Sequence, residues 1–435
     1  MNKGQKLYKK AKKLIPGGTM LFSKRPEMHL PENWPAYFSK TKGCFVWDLE
    51  GNKLTDMSLM GIGTNSLGYS NSIIDKAVMN SVKKGNLSSL NCPEEVYLAE
   101  KLTEIHPWAD MARFARTGGE ANAIAVRIAR AASGKDGVAV CGYHGWHDWY
   151  IAANHNGGDE LSGHLIKGLN PLGVPKQLKN STFPFNYNDY NSLVSIINNN
   201  NIGVIKMEVI RNMEPQNNFL QKVRSLATKK GIVLIFDECT SGFRETLGGI
   251  HKKYKVEPDI VIFGKTIGNG YALTSVLGRK NIMESVQETF ISSTFWTERI
   301  GPTAALATLK LIEEIQSYEI ITKIGNKMRQ GWKEIADSND VKISIGGIPA
   351  LSKFAFESEY KLKYKTYLTQ EMLKKGYLAS TNFYASIAHN DKNVGIYLSK
   401  LNDVFKVISE CEKGHKNIND LLEGPVCHSD FQRLN

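Results

Sequence analysis

The sequence predicts an α/β protein in which a large domain has a mainly parallel sheet and a smaller domain is α+β. At 435 residues the chain is too long for one simple core. Helical patterns separate several strand-like runs, and strands that alternate with helices form largely parallel sheets. The apolar runs of strand length are residues 138–141, 202–207, 232–236, 260–263 and 272–277.

The N-terminal region predicts helices and one β-hairpin. Residues 2–15 have helical spacing and end at the strong stop signal of residues 16–18, Pro-Gly-Gly. Strand patterns at 44–48 and 54–56 flank a turn at residues 51–52. Further helical patterns lie at 72–84, 94–105 and 120–133.

The C-terminal region predicts the smaller domain. Helical patterns between 304 and 337 precede a mixture of strands and helices that extends to about residue 422. Residues 154–176 are Gly-rich and aperiodic, which indicates a loop. The predicted boundaries assign residues 1–51 and 311–435 to the small domain and residues 52–310 to the large α/β domain.

Composition is that of an ordinary globular enzyme, with 42% hydrophobic and 23% charged residues. No apolar run is long enough to span a bilayer, and the lysine-rich N-terminus lacks the apolar segment of a secretory signal. The six cysteines are scattered without a CxxC pair, which favours reduced thiols over disulfides or a zinc site. We therefore expect a cytoplasmic protein with no metal site and no membrane partner.

The net charge of +12 raises the hypothesis of nucleic-acid binding. The basic residues are spread along the chain, however, and do not form an arm with interleaved aromatic residues. This distribution favours a basic surface on an enzyme that handles anions, with no nucleic-acid partner. A non-catalytic basic binding protein is the alternative, and steeply salt-dependent nucleic-acid binding would support it.

Two neighbouring strands of the predicted sheet end in residues that suit one cofactor. Asp237 follows the run 232–236, and Lys265 follows the run 260–263 after one glycine. Pyridoxal phosphate (PLP) needs an amine to form a Schiff base and a carboxylate to keep its ring nitrogen protonated. The alternative is a solvated lysine and a carboxylate that caps the next turn.

Two glycine-containing segments suit the same cofactor. Gly118 and Gly119 open a helix, and the free N–H groups at a helix N-terminus bind phosphate. Tyr143, between Gly142 and His144, can stack on a flat ring. Each segment alone is weak, because the first also serves as a helix cap and the second as a surface turn.

These segments together resemble the class III family of PLP-dependent aminotransferases. Residues 235–244 (IFDECTSGFR) are similar to its aspartate motif, and residues 259–270 (DIVIFGKTIGNG) are similar to its lysine motif. The resemblance extends from about residue 5 to 412 and is closest to glutamate-1-semialdehyde 2,1-aminomutase and similar aminotransferases. It implies the fold type I of PLP-dependent transferases and a homodimer with shared active sites.

The resemblance also implies residue roles. Lys265 would form the Schiff base and move protons, and Asp237 would hold the ring nitrogen protonated. Tyr143 and Cys239 would lie on the two faces of the ring. The other implied cofactor contacts are Thr117, Gly118 and Gly119 to the phosphate, His144, Glu208 near O3′, and Ser293 and Thr294 from the neighbouring subunit.

The chain departs from the family pattern in places. Gly119 stands where the family commonly has Thr or Ser, so one phosphate contact is expected to be missing. Val209 replaces a proline after Glu208. Segments 19–35 and 295–302 also diverge. Candidate substrate contacts are Arg25, Tyr384, Glu298 and Arg299, the last two with an interface ion pair as the alternative.

We therefore expect an aminotransferase that moves an amino group between a small-molecule donor and a carbonyl acceptor through Lys265. The alternative is a glutamate-1-semialdehyde 2,1-aminomutase, which shares every cofactor residue and differs in whether the keto intermediate leaves. The divergent segments favour the aminotransferase. A decarboxylase or an epimerase on the same scaffold is a further alternative.

Overall fold

A computed structural model describes residues 2–157, 159–164 and 167–431. The chain divides into two compact units, the first formed by Met1–Asn71 with Glu319–Asn435 and the second by Ser72–Tyr318. Residues 52–71, which the sequence analysis places in the large domain, belong here to the first unit. Strand pairing explains this, because Thr55 pairs with Phe45 and with Tyr377. The predicted domain boundaries stay a prediction.

The first unit opens with the predicted helix and hairpin. Asn2 and Gln5 form a capping box at the start of the first helix. Gly51 has a φ of 88° at the predicted turn, where glycine avoids the strain of a left-handed conformation. The elements are α1 (Lys3–Leu14), β1 (Phe38–Lys42), β2 (Phe45–Asp48), β3 (Lys53–Asp56) and α2 (Met60–Gly63).

The second unit alternates strands with helices. Its strands are β4 (Met111–Ala115), β5 (Gly137–Cys141), β6 (Thr182–Pro184), β7 (Ile202–Glu208), β8 (Val233–Glu238), β9 (Ile260–Phe263) and β10 (Thr274–Gly278). Its helices are α3 (Ser72–Lys83), α4 (Glu94–Ile105), α5 (Gly118–Ser133), α6 (Asp148–Ile151), α7 (Tyr190–Asn199), α8 (Phe219–Lys230), α9 (Lys280–Met283) and α10 (Ile300–Ile315).

These strands form one mixed sheet in the order β4-β10-β9-β8-β7-β5-β6. The pairs from β9 to β6 are parallel, whereas β10 is antiparallel to both of its neighbours. The five predicted strands are confirmed. Strands β4 and β6, at the two edges of the sheet, are not predicted from the sequence. An edge strand is partly exposed, and Arg113 in β4 and Pro184 in β6 interrupt the apolar pattern.

The register of the central strands positions the candidate site. Asp237 pairs with Glu208 of β7 on one side and with Ile262 of β9 on the other. The strands are parallel, so their carboxyl ends meet at one edge of the sheet. On one face, α5 packs through small residues such as Ala121 and Ala125, both fully buried.

The C-terminal part of the first unit has its own core. Trp332, Phe354 and Phe405 are buried there. The elements are α11 (Ser317–Ser338), β11 (Ile343–Gly346), β12 (Leu351–Phe356), α12 (Lys361–Lys374), β13 (Tyr377–Leu378), β14 (Asn382–Tyr384), α13 (Asp391–Glu412) and α14 (Ile418–Leu421). Strand β13 is parallel to β3, and a separate antiparallel sheet has the order β11-β12-β14.

Neither a membrane-spanning helix nor a metal-binding cluster is present among the described residues. Among the helices of the described residues, none is both long and apolar enough to cross a membrane. Within the same residues, no group of three or more His, Cys, Asp or Glu side chains is arranged to hold a metal ion. Of the predicted loop at 154–176, Gly158 and residues 165–166 lie outside the described residues.

Candidate active site

Lys265 starts a short 3₁₀ helix directly beyond the carboxyl end of β9. Its φ of 43° lies in the left-handed region, a strain that often marks functional positions. Lys265 Nζ donates a hydrogen bond to Thr240 Oγ1 at 2.8 Å. Burial lowers the pKa of Lys265 to about 8, and the charges of Arg211 and Arg244 act in the same direction. About one such amine in ten is neutral, and therefore nucleophilic, at pH 7.

Asp237 is a buried carboxylate with three cooperating neighbours. Its Oδ2 lies 2.8 Å from His144 Nδ1 and 3.8 Å from Lys206 Nζ, and its Oδ1 accepts from Cys239 N at 3.1 Å. Burial alone raises the pKa of Asp237, but the charge of Lys206 and the bond with His144 outweigh burial and hold the pKa well below its usual range. The carboxylate therefore stays ionised inside the sheet.

His144 is the link between Asp237 and the loop after β5. The His144 ring is 1% exposed, and its Nε2 lies 3.2 Å from the Cys141 carbonyl oxygen. Burial and the charge of Lys206 lower the pKa of His144, although the neighbouring Asp237 opposes them. The ionised Asp237 carboxylate can only accept a hydrogen bond, so the Nδ1 that faces it carries a proton and donates. His144 thus lies against the aspartate.

Lys206 is a member of the site that the sequence analysis missed. The side chain is 0% exposed, and its Nζ has no hydrogen-bond partner within the described residues. Burial lowers the pKa of Lys206, while Asp237 opposes this. A lysine in the middle of the apolar run 202–207 was the available signal, because lysine is almost never fully buried unless it is paired.

Tyr143 and Glu208 meet at the turn after β5. Gly142 has a φ of 110°, and a Cβ added there would lie 2.6 Å from Glu208 Oε2, so only glycine fits. The Tyr143 backbone N–H donates to Glu208 Oε2 at 3.2 Å. The Glu208 carboxylate is held by Arg211 Nη1, 2.9 Å from each oxygen. Burial raises the pKa of Tyr143, whose ring packs edge-on against Tyr150.

Cys239 packs between Gly264, which precedes Lys265, and Gly118 at the start of α5. A Cβ added at Gly264 would lie 3.2 Å from Cys239 Sγ, and one added at Gly118 would lie 3.6 Å from it. Burial raises the pKa of the Cys239 thiol well above its ordinary value. The thiol is therefore held in its neutral form and packs between these two segments.

The N-terminus of α5 is the candidate phosphate site. Thr117 and Glu120 form a capping box in which Glu120 Oε2 accepts from the Thr117 N–H at 2.8 Å. Burial raises the pKa of Glu120, but the bonds from the Thr117 and Arg116 N–H groups lower it further, so the net shift is downward. The N–H groups of Gly118 and Gly119 have no acceptor within the helix, as at every helix start. They are free to bind an anion.

Glu238 anchors the strand end from the opposite side of Asp237. It is fully buried, accepts from the Ile250 N–H at 2.5 Å and lies 2.6 Å from His251 Nδ1. The second nitrogen of His251 lies 3.2 Å from Trp108 Nε1. These bonds fix the chain between residues 238 and 251, and with it the Thr240 partner of Lys265.

Ser293 and Thr294 are exposed at the start of a 3₁₀ helix (Thr294–Thr297). The same segment contacts the start of α5, because Trp296 Nε1 donates to Glu120 Oε1 at 3.3 Å. Arg116 Nη2 donates to the Trp296 carbonyl oxygen at 2.9 Å. The segment is therefore fixed while its two hydroxyl side chains face outward.

Glu298 and Arg299 have partners inside the second unit. Glu298 lies 3.0 Å from Arg116 Nε and accepts from the Gly301 N–H at 2.8 Å. Arg299 Nη2 lies 2.7 Å from Glu94 Oε1. Both ion pairs connect residues of one chain. The sequence instead predicts either contacts with the substrate or an ion pair between subunits. The substrate role of both residues stays a prediction.

Arg25 and Tyr384 belong to the first unit. The Arg25 guanidinium lies 5.3 Å from the Phe22 ring centroid and 5.5 Å from that of Phe431. Tyr384 ends β14, and its N–H donates to the Ser58 carbonyl oxygen at 2.7 Å. Their assignment to substrate stays a prediction.

The chain is similar to known proteins over most of its length. Residues 30–408 match the model of the family described as aminotransferase class-III. The chain is 33% identical over 374 residues to a 3-aminobutyryl-CoA aminotransferase of Cloacimonas acidaminovorans, covering 84% of this chain and 86% of the relative. It is 30% identical over 390 residues to a glutamate-1-semialdehyde 2,1-aminomutase of Methanococcoides burtonii, covering 87% and 89%. The structure of the FumI protein of Sphingopyxis sp. MTA144 superposes with a TM-score of 0.85 at 22% identity, covering 96% and 99%.

Proposed function

We propose that this chain, which belongs to the class III aminotransferase family, moves an amino group between a small-molecule donor and a carbonyl acceptor with PLP as cofactor. One observation carries the proposal. Asp237 is the penultimate residue of β8, with its pKa well below the usual range, and Lys265, with its pKa lowered to about 8, lies just beyond the carboxyl end of the neighbouring parallel strand β9. This is the pair of groups that PLP chemistry needs.

The donor set fits the cofactor. When bound, PLP supplies an aldehyde that condenses with amines and a ring that draws electrons from the substrate's α-carbon. Asp237 would hold a proton on the ring nitrogen, and the N–H groups of Gly118 and Gly119 would hold the phosphate. Tyr143 and Cys239 are the residues we assign to the ring faces, and Glu208 to the vicinity of O3′.

Lys265 has two tasks in this scheme. Its neutral amine would hold the cofactor through the aldehyde, and the same nitrogen, once free, would take the proton from the substrate's α-carbon. A pKa of about 8 suits both tasks, because a base works best when its pKa lies near the operating pH. The hydrogen bond to Thr240 Oγ1 keeps Nζ at one position while it is free.

The aminomutase is the second candidate. The 30% identity to the aminomutase of Methanococcoides burtonii supports it, and every residue of the site serves both reactions. The relative with 33% identity is an aminotransferase, and the divergent segments 19–35 and 295–302 favour that activity. The acceptor distinguishes the two, because the aminomutase keeps its keto intermediate.

The test is the visible absorption spectrum of the protein reconstituted with PLP, before and after each of several amino donors. Glutamate, 4,5-diaminovalerate and 3-aminobutyryl-CoA form the panel. We expect the band of the lysine-bound cofactor to give way to that of the pyridoxamine form with at least one donor. A response confined to the diamine would favour the aminomutase. Protein that stays colourless after incubation with PLP would refute the proposal.

A homodimer with shared sites in the cytoplasm is part of the same proposal. The outward-facing hydroxyls of Ser293 and Thr294 support sharing, and the scattered cysteines support a reducing compartment. Mixed dimers provide the test. A Lys265→Ala protomer paired with a protomer that carries Ser293→Ala and Thr294→Ala should regain activity, because one of the two shared sites is then intact. Activity no higher than that of the hydroxyl variant alone would contradict sharing.

A further inference from the structure

Gly119 is the second residue of α5, where the class III family commonly has Thr or Ser. A Cβ added to Gly119 would lie 2.7 Å from His147 Cε1 and 2.8 Å from His147 Nδ1. Carbon and nitrogen atoms that are not bonded do not approach so closely. The His147 imidazole therefore occupies the space that a Thr or Ser side chain would fill.

A second glycine brings the loop of His147 onto the helix. Gly145 has a φ of 99°, and a Cβ added there would lie 3.1 Å from Gly119 Cα. The backbone of this loop therefore packs directly on the first turn of α5. Trp146 stacks on the His147 ring, with centroids 4.6 Å apart and planes inclined by 29°.

His147 Nδ1 is buried and has no hydrogen-bond partner in the described part of the chain. A buried polar atom without a partner is costly, so such atoms in native proteins usually have a ligand or an ordered water. Gly119, the helix residue next to His147, has a backbone N–H group with no acceptor in the helix. An imidazole with its proton on Nδ1 is a further donor, and donors gathered at a helix start bind an anion.

We propose that His147 binds the phosphate group of PLP through Nδ1–H and replaces the hydroxyl that the family carries at the position of Gly119. The inference rests on the proposed function, because PLP supplies the phosphate. Burial lowers the pKa of His147, while the charges of Glu120 and Asp148 oppose this. Even the neutral ring has the one N–H group that the contact needs.

The test compares the affinity of the apoprotein for PLP with its affinity for pyridoxal, which lacks the phosphate. The ratio of the affinity for PLP to the affinity for pyridoxal isolates the phosphate contacts. Asparagine places its amide nitrogen near the position of Nδ1, whereas glutamine reaches the position of Nε2. We expect His147→Gln to reduce the ratio by about ten- to a hundredfold, as for a hydrogen bond to a charged group, and His147→Asn to retain most of it.

A reciprocal exchange provides the second test. Gly119→Ser alone should weaken PLP binding, because the new side chain collides with His147. Gly119→Ser combined with His147→Ala should bind PLP more tightly than His147→Ala alone, because the hydroxyl then occupies the vacated space. The ³¹P resonance of bound PLP should move in the His147→Gln protein and return towards its original position in the double variant.

The outcomes separate the two proposals. Wild-type protein that binds PLP, with a PLP-to-pyridoxal ratio that His147→Gln leaves unchanged, would overturn this inference alone. Equal losses in the asparagine and glutamine variants would also overturn it, since a structural role does not distinguish the two nitrogens. Wild-type protein that binds no PLP would overturn the proposed function and this inference with it.

Discussion

At the ring-nitrogen end of the proposed cofactor site, three ionisable side chains are withdrawn from water: His144 is 1%, Lys206 is 0% and Asp237 is 4% exposed. At the phosphate end, the donors are backbone N–H groups of α5 and the partly exposed side chain of His147. The first end is therefore formed by buried charge, and the second by the start of a helix near the surface.

The difference has an electrostatic consequence. Charges in a low-dielectric interior interact strongly and salt screens them little, whereas contacts near the surface are weaker and screened. The state of Asp237 is thus fixed by the folded core of one chain. The phosphate end can change its donors, as the pair of Gly119 and His147 indicates, and in the proposed homodimer it would also receive hydroxyl groups from the second subunit.

The largest effect is expected from removal of the Lys265 amine, between the two ends of the site. In the Lys265→Ala protein we expect turnover to fall to background while PLP remains bound non-covalently, because neither end depends on the amine. Turnover, together with the cofactor content after gel filtration, checks this. Lys310→Ala is the matched control, since its side chain is 76% exposed. Turnover retained by the Lys265→Ala protein would refute the assignment of the lysine.

The next effect tests the ring-nitrogen end. Asp237→Asn should reduce turnover by several orders of magnitude, because an amide cannot hold a proton on the ring nitrogen and a neutral ring is a poor electron sink. The ratio of the affinities for PLP and pyridoxal should change little, since the phosphate contacts are elsewhere. A mild loss of turnover would mean that the ring nitrogen does not lie at Asp237.

A smaller effect sharpens the comparison between the two histidines. His144→Gln should reduce turnover by about ten- to a hundredfold, the value of a hydrogen bond to a charged group, and His144→Asn should lose less because its amide lies near the Nδ1 position. Neither change should alter the PLP-to-pyridoxal affinity ratio, whereas we expect His147→Gln to reduce it. If the His144 variants change that ratio, the two ends are not independent.

The sequence made the ring-nitrogen end only partly predictable. Asp237 and Lys265 were found because each follows an apolar run, and the resemblance to a known family supplied their roles. The bond between His144 and Asp237 joins residues 93 positions apart, so no local pattern reports it. Lys206 interrupts the apolar run of β7 and pairs with Ile235 of β8, and only the folded sheet brings its Nζ to 3.8 Å from Asp237 Oδ2, two residues further along that strand.

At the phosphate end, the sequence predicts the helix start with its backbone N–H groups but not the side-chain contacts. The glycines before a helical pattern predicted the start of α5, and the structure has that helix at Gly118–Ser133. The missing hydroxyl at Gly119 was noticed as a departure from the family. Its compensation by His147 depends on how the loop after β5 packs on α5, which is a tertiary contact across 28 residues of chain.

The smallest expected effect on turnover concerns Lys206, the buried charge with no hydrogen bond in the described residues. Lys206→Met keeps most of the volume but leaves the buried Asp237 carboxylate without its cationic neighbour, so the free energy of unfolding should fall by about 3 kcal/mol. The pKa of Asp237 and that of His144 should both rise, because the positive neighbour lowers each of them. Asp237 should nevertheless remain ionised at neutral pH through its bond with His144, so turnover should change by less than about tenfold. Denaturant unfolding measures the change in the free energy of unfolding, and ¹⁵N NMR titration of the His144 ring measures its pKa. Ile205→Met, on the other face of β7, is the control. A loss of turnover as large as that of Asp237→Asn would show that the charge of Lys206, and not the carboxylate alone, maintains the ring-nitrogen end.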